Sequence, residues 1–442
     1  MPKMLIIADD LTGATDSAAT CAEYGMETIV LLGDPPGDIA VPETAEALAI
    51  DANTRCLHAE DAAEITARII RDYGASADRA LLFKKVDSTL RGHLAAELAA
   101  ALNARRAQVS SDQRVVVVLA PAFPAQGRTT VRGRQMMRGK LLEDADSWPG
   151  EFVRGHSNIA EIMGEAGLIC GLTELKTVRS GQQSLERAMF RLANTVDVIV
   201  CDAENEEDLQ AIAASSMALG PKTVWAGSAG LARHMPCAAG VARASRSSDL
   251  AVRNHVIMPG PALFVVGSPA RASREQARAL AAAPNMETLT IQLSLLNDQS
   301  SRWRELARDV ARTLQLGRDV LLTLEFSGQD GVKQPNQVAR IIARIVKPCT
   351  DHVGALVATG GETARTVLDA WGVRRLRLLG EVEPGLPYSM TDQWSRDILV
   401  LTKAGGFGTP NTLLHCRNFI WTTEHNRRGI AEHDTVVENR KN

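Results

Sequence analysis

Aromatic residues are scarce in this chain, at 4% of 442 positions, so its interior must be built from aliphatic side chains. No run of about 18 apolar residues occurs, which excludes a membrane-spanning helix. The seven cysteines (21, 56, 170, 201, 237, 349 and 416) stand singly, with no Cys-x-x-Cys pair and no Cys/His cluster at metal spacing. They read as small buried hydrophobes in a reducing compartment. The opening Met-Pro-Lys-Met leads straight into an apolar run and leaves no room for a secretory signal, so the expected location is cytoplasmic. Charge of one sign is also lacking: 49 Lys and Arg against 52 Asp and Glu leave −3, which gives no general attraction to nucleic acid or to a membrane surface.

Several signatures are missing too. No G-x-G-x-x-G follows a strand, which argues against a dehydrogenase. The stretch from Gly133 to Lys140 has one residue too many for a P-loop and no Ser or Thr after the lysine. A non-catalytic sensor of an acid and a nucleotide would need an output surface, and neither a helix-turn-helix nor a basic recognition helix is visible. Ala226-Gly227-Ser228-Ala229-Gly230 has Ala where a nucleophile elbow needs Gly, and reads as a helix start.

What is present is a regular alternation of short apolar runs and helically spaced segments, the pattern of an α/β fold. Strands are expected near 4–8, 27–32, 46–51, 80–84, 115–120, 197–201 and 222–225. A second series follows at Leu263–Val266, Thr288–Ile291, Val320–Leu324, Ala355–Ala358, Leu376–Leu379 and Ile398–Leu401. Helices are expected between them, as at His58–Asp72 and Leu94–Arg105. A polar stretch with small residues separates the two series. The expectation is two α/β lobes with mostly parallel sheets and a cleft between them: residues 1–237, a linker at 238–259, residues 260–425, and a polar tail at 426–442.

Ligands of open α/β sheets sit beyond the carboxyl ends of strands. Asp9 and Asp10 end the first run, and read either as site carboxylates or, in the plainer reading, with one of the two merely capping the helix that follows. Lys84, Lys85, Asp87 and Arg91 end another, with Arg55 after a third. Arginine matches a carboxylate and carboxylates accept from hydroxyls, so a hydroxylated carboxylic acid suits this mixture; a network of surface ion pairs is the plainer reading. In the second series, Gly267-Ser268, Gly360-Gly361-Glu362-Thr363 and Gly405-Gly406 form glycine turns at strand ends, which favour a nucleotide phosphate. Lys403 reads equally as a functional cation or as a charge at a helix end or in solvent. The stretch 122–150 reads as a long basic loop, either a flap over a transferred phosphate or a solvated surface.

These motifs, in order, resemble the four-carbon acid sugar kinases: Ile7 to Asp16, Lys84 to Gly92, Ala120 to Pro124 with Gly127-Arg128, Thr359 to Thr363, and Lys403 to Gly408. The resemblance implies a first lobe that binds a sugar acid, a second that binds ATP, and transfer of the γ-phosphoryl to a terminal hydroxyl with magnesium. Lys-Lys-Val-Asp-Ser-Thr-Leu-Arg-Gly is most similar to the D-threonate kinases, with D-erythronate and 3-oxo-tetronate kinases as the alternatives. It implies substrate at Asp9 or Asp10, Arg55 and Lys85, Val86, Asp87 and Ser88, and ATP at Ser268, Gly360, Gly361, Glu362, Thr363, Gly405 and Gly406. Arg91 is added from its charge alone, as a partner for carboxylate or phosphate. Asp10, ahead of Asp9, is the expected catalytic carboxylate, and a homodimer is the default assembly.

Overall fold

The opening apolar run forms β1 (Met4–Ala8), buried along its whole length. A parallel sheet covered on both faces by helices exposes neither side of its strands. In the computed structural model, which describes residues 2–33, 39, 41–74, 80–110, 114–145, 156–241, 260–292, 302–325, 335–392 and 397–422, the chain divides into two compact units, Met1–Ser245 and Arg246–Asn442. Residues 242–259 of the expected linker and the whole expected tail lie outside the described residues.

In the first unit β1 is followed by β2 (Thr28–Leu32), β3 (Ala47–Asp51), β4 (Leu81–Lys85) and β5 (Val117–Ala120). After a small separate sheet come β9 (Cys170–Thr173), β10 (Val198–Cys201) and β11 (Val224–Gly227). The strands lie side by side as β2-β3-β1-β4-β11-β5-β10-β9, every neighbouring pair parallel. Helices Leu11–Glu23, Ala59–Tyr73, Leu94–Arg106, Gln182–Ala193 and Glu206–Ser216 make crossovers. The chain leaves β1 toward β2 and β3, then crosses to β4 on the other side of β1, so the strand order reverses there. Ala8 sits opposite Asp51 and Ile7 opposite Lys84, which brings the carboxyl ends of β3, β1 and β4 to one edge. As the scarcity of aromatics implies, one buried cluster of this unit, from Leu5 to Ala226, contains only aliphatic residues and Met163.

The stretch expected to be a long basic loop is instead largely a small antiparallel sheet: β6 (Arg128–Val131), β7 (Arg134–Met137) and β8 (Lys140–Leu141). Its two tight turns, Arg132-Gly133 and Arg138-Gly139, hold positive φ at both residues (53° and 70°, 51° and 79°), the geometry whose twist suits a two-residue hairpin. Residues 146–155 of that stretch lie outside the described residues.

The second unit contains β12 (Ala262–Val266), β13 (Met286–Ile291), β14 (Asp319–Leu324), β15 (Ala355–Thr359), β16 (Arg375–Glu381), β17 (Pro387–Thr391) and β18 (Leu399–Lys403), in the order β13-β14-β12-β15-β18-β17-β16. The five strands from β13 to β18 in that order are parallel, while β17 runs antiparallel to both its neighbours. The order reverses at β12, between β14 and β15. No helix among the described residues is long and apolar enough to cross a membrane.

Ser228 does start a helix, accepting from the Gly230 amide at 3.0 Å, and Gly227 before it has no room for a side chain. A Cβ there would lie 2.6 Å from the Ala120 carbonyl and 2.9 Å from Leu231 Cβ. Gly227→Ala is therefore expected to destabilise by about 1 to 3 kcal/mol. Gly164→Ala, a helical position with nothing within 4 Å, should be neutral or gain about 0.4 to 1 kcal/mol. Urea midpoints of the two variants check the contrast.

Candidate active site

Three neighbouring strand ends build one cluster. Beyond β1, Asp10 caps the helix Leu11–Glu23, its Oδ1 accepting from the Gly13 amide at 2.8 Å and its Oδ2 from the Thr12 hydroxyl at 3.0 Å. Beyond β3, Asn53 takes a left-handed φ of 52°, a conformation Asn tolerates, and turns the chain back over β1. The amides of Thr54 and Arg55 then donate to the Asp9 carbonyl at 3.1 and 3.3 Å. The Arg55 guanidinium donates to Asp9 from Nε (2.7 Å) and Nη2 (2.9 Å) and to Asp10 from Nη1 (2.8 Å), and lies 3.6 Å from Asp87.

Beyond β4, Asp87 accepts from the Thr89 amide at 3.0 Å, from the Thr89 hydroxyl, and from Arg91 Nε and Nη2 at 2.9 and 2.7 Å. Burial by itself raises both Asp9 and Asp87. Arg55, with Lys84 and Lys85, outweighs it and holds Asp9 below its ordinary value, while Arg91 and Arg55 hold Asp87 well below. Against the cost of burial, Asp10, Asp9 and Asp87 raise Arg55 well above its ordinary value, and Asp87 raises Arg91.

The adjacent lysines part company, as side chains alternate along a strand. Lys84 is buried against Glu97 (3.1 Å), whose Oε1 also accepts from Thr54 Oγ1 at 2.6 Å, so it belongs to the scaffold. Lys85 is 7% exposed, and its ammonium has no hydrogen-bond or ion-pair partner among the described residues. It lies near Asp10: a Cβ on Gly13 would be 2.6 Å from Asp10 Oδ1 and 3.1 Å from Lys85 Nζ.

Asp9, Asp10, Arg55, Lys85, Asp87 and Arg91 thus come together as the sequence suggests, with Ser88 on the same loop. The Val86 side chain instead joins the apolar core. Asp10 is at once the cap and a member of the charged cluster. Missed in the sequence was Gln135 of β7, fully buried, whose Nε2 donates to the Ser88 carbonyl at 2.7 Å and the Pro121 carbonyl at 3.3 Å. The Arg-Gly turns on either side of it were the available signal.

In the second unit the three glycine turns meet. A Cβ on Gly405 would lie 2.0 Å from Ser268 Oγ, one on Gly360 3.6 Å from Ser268 Cβ, and one on Gly267 2.3 Å from Thr363 Oγ1. Gly360 itself holds φ 93° and begins the helix Gly361–Ala370 without a side-chain cap, so the first-turn amides of Gly361, Glu362 and Thr363 have no intrahelical or side-chain partner. Glu362 and Gly406 are exposed. Lys403 is neither in solvent nor at a helix end: it is 1% exposed and donates to the carbonyls of Ala404 (2.8 Å), Gly405 (3.3 Å) and Phe407 (3.0 Å). Also missed in the sequence were Ser273 and Gln276, which reach the same loop by donating to the Gly405 (2.8 Å), Phe407 (3.0 Å) and Thr409 (2.9 Å) carbonyls. Their spacing with Ala277 and Leu280 on one buried helix face was the signal.

Because Asp9 and Asp87 titrate below the unfolded value of about 3.9, their pairing stabilises the fold above that pH, and the gain is lost as pH falls through the lowered values. Arg55→Gln should cost about 3 to 5 kcal/mol at pH 7. The gap between variant and parent should narrow below about pH 4, as denaturant midpoints at the two pH values would show.

The family described as a sugar-binding N-terminal domain matches residues 4–235, and that described as a nucleotide-binding C-terminal domain matches residues 263–413. A D-threonate kinase of Cupriavidus necator is 36% identical over 93% of this chain and 96% of its own length. A 3-oxo-tetronate kinase of the same organism is 27% identical over 93% and 95%. A solved structure from Salmonella typhimurium LT2 superposes with a TM-score of 0.77 at 21% identity, covering 94% of this chain and 99% of that one; it shares the fold. The chain belongs to the four-carbon acid sugar kinase family and is an ATP-dependent sugar acid kinase.

Proposed function

We propose that the chain phosphorylates the C4 hydroxyl of D-threonate, with Lys85 and Arg91 receiving the carboxylate and Asp10 orienting the hydroxyl. The observation that carries this reading is the unpartnered Lys85 ammonium beside a carboxylate fixed at every oxygen. Arg55 is spent on Asp9, Asp10 and Asp87, so its part is to hold acids rather than substrate. Arg91, with a side chain 38% exposed, keeps donors for a ligand. The greater identity to the D-threonate kinase than to the 3-oxo-tetronate kinase supports the choice of acid.

Phosphoryl transfer asks for alignment and for cations around the moving group more than for a strong base. Asp10 accepts a hydrogen bond from the hydroxyl, points the hydroxyl oxygen along the line of attack, and takes the proton late. Asp9, enclosed and bound by Arg55 at both oxygens, keeps that guanidinium in place. On the second unit, the Gly361–Thr363 amides and the bare Gly405-Gly406 turn receive the triphosphate.

Magnesium keeps most of its waters and takes one or two carboxylates plus phosphate oxygens. No larger cluster of His, Cys, Asp or Glu suited to a metal occurs among the described residues, and the exposed Glu362 beside free amides fits that modest demand. When bound, the ion neutralises charge on the nucleotide oxygens.

With ATP, magnesium and a panel of four-carbon acids, kcat/KM for D-threonate should exceed that for D-erythronate and 3-oxo-tetronate by about tenfold or more, equivalent to about 1.4 kcal/mol. Equal values would discard the substrate choice. Asp10→Asn keeps a good helix cap, so a fall in kcat of about 10² to 10³ would be chemical; a change under tenfold would release Asp10 from the mechanism. Gly405→Ala, which collides with Ser268, should raise KM for ATP and leave that for the sugar acid unchanged in steady-state assays.

A further inference from the structure

A lysine next to a phosphate loop is commonly assumed to touch the phosphate, and Lys403 is placed so that it does not. Its ammonium sits under the loop, 1% exposed, and spends its protons on the carbonyls of Ala404, Gly405 and Phe407. In a planar trans peptide the N–H of one residue points opposite to the carbonyl of the residue before it, and no cis peptide occurs among the described residues. Turning those carbonyls inward therefore turns the amides of Gly405, Gly406 and Gly408 outward. None of the three has a hydrogen-bond partner among the described residues. Successive outward amides form a concavity that binds anions.

We propose that Lys403 is a positioning residue of the nucleotide site: its buried ammonium pulls three loop carbonyls inward and so aims the Gly405, Gly406 and Gly408 amides at phosphate. This rests on the nucleotide reading of the second unit and adds the device that shapes its loop. Ser273 and Gln276 share the work on Gly405 and Phe407, but Ala404 depends on Lys403 and on the Phe407 amide, which donates to its carbonyl at 3.1 Å.

The charged and titratable groups facing Lys403 are Glu383, from the connection between β16 and β17, and Cys416, from the helical stretch 412–422; both favour its charge. His415 is paired with Glu383 at 2.9 Å. Burial outweighs Glu383 and Cys416 and brings Lys403 down to about 8, while the same burial pushes the Cys416 thiol far up, out of the way. A neutral amine has two protons for three carbonyls, so one is released as pH rises past 8. A folded value below the unfolded one, about 10.4, makes this group's contribution to stability rise over that interval. Weaker nucleotide binding there cannot be ascribed to unfolding through Lys403.

Calorimetric titration of the full chain with a non-hydrolysable ATP analogue and magnesium, and separately with D-threonate, tests this. Wild-type affinity for the analogue should hold steady to about pH 7.5 and fall about tenfold or more by about pH 9.5, the scale of a lost charged hydrogen bond. Lys403→Met should bind the analogue that weakly already at pH 7, with a flat profile, and bind D-threonate as the parent does. Wild-type analogue binding unchanged through pH 9.5, or Lys403→Met binding it normally at pH 7, would overturn the assignment. Loss of both ligands by the variant would mark a purely structural lysine and overturn it as well. Should the variant not fold, the wild-type pH series decides alone. Failure of the wild type to bind the analogue at any pH would instead remove the nucleotide reading, and the role of Lys403 with it.

Discussion

Three carboxylates at one sheet edge is an arrangement that resists assembly, and the Arg55 guanidinium is what permits it. Asp9 and Asp87 are buried, and burial drives a carboxylic acid toward its neutral form. One planar cation, donating to Asp9 through two nitrogens and to Asp10 through a third while standing 3.6 Å from Asp87, reverses that tendency. Its own position is fixed by the fold: the parallel pairing of β1 with β3, the left-handed Asn53, and the Asp9 carbonyl that accepts from two amides of the same turn. A guanidinium so committed has little left for a ligand. On the reading proposed above, Lys85 and Arg91, which act on Asp87 along with it, are the charges left for a ligand.

The second unit meets a polar ligand by the opposite means. Its strand ends present backbone, brought close because Gly267, Gly360 and Gly405 leave space that Ser268 and Thr363 fill. Loop carbonyls are turned into the body by Lys403, Ser273 and Gln276, and helix amides stand uncapped behind Gly360. Amides do not titrate at physiological pH and need no counter-charge, so a surface built from them offers a triphosphate donors without requiring buried acids to balance them.

Much of both arrangements was legible from sequence because strand ends are legible: an apolar run stopping in charges or glycines locates itself. Which of two adjacent lysines faces the site was not, since Lys84 and Lys85 differ only in the side of the strand they occupy, and Glu97 and Thr54, which claim Lys84, lie on other elements. Lys403 was ambiguous for a related reason: a buried cation is recognisable only from the carbonyls around it. The β6–β8 sheet was missed because its strands are short and rich in arginine, lacking the apolar alternation by which half-buried strands are read. β17 begins with Pro387, which lowers the likelihood of a strand in any sequence reading, yet all five of its residues are buried between β16 and β18.

Helix capping and the catalytic part proposed for Asp10 are compatible in one side chain. A carboxylate that aligns a hydroxyl is useful only if it does not swing, and a capping aspartate is held by the first turn of its helix. Gly13 fixes Oδ1, Thr12 and Arg55 together occupy Oδ2, and Oδ1 keeps lone-pair capacity for one more donor. Asp9 has the same chemistry, but its side chain is 4% exposed against 17% for Asp10, which is why Asp10 is the one proposed to meet a hydroxyl. On the proposed mechanism, the helix that Asp10 starts supplies the rigidity that phosphoryl transfer needs.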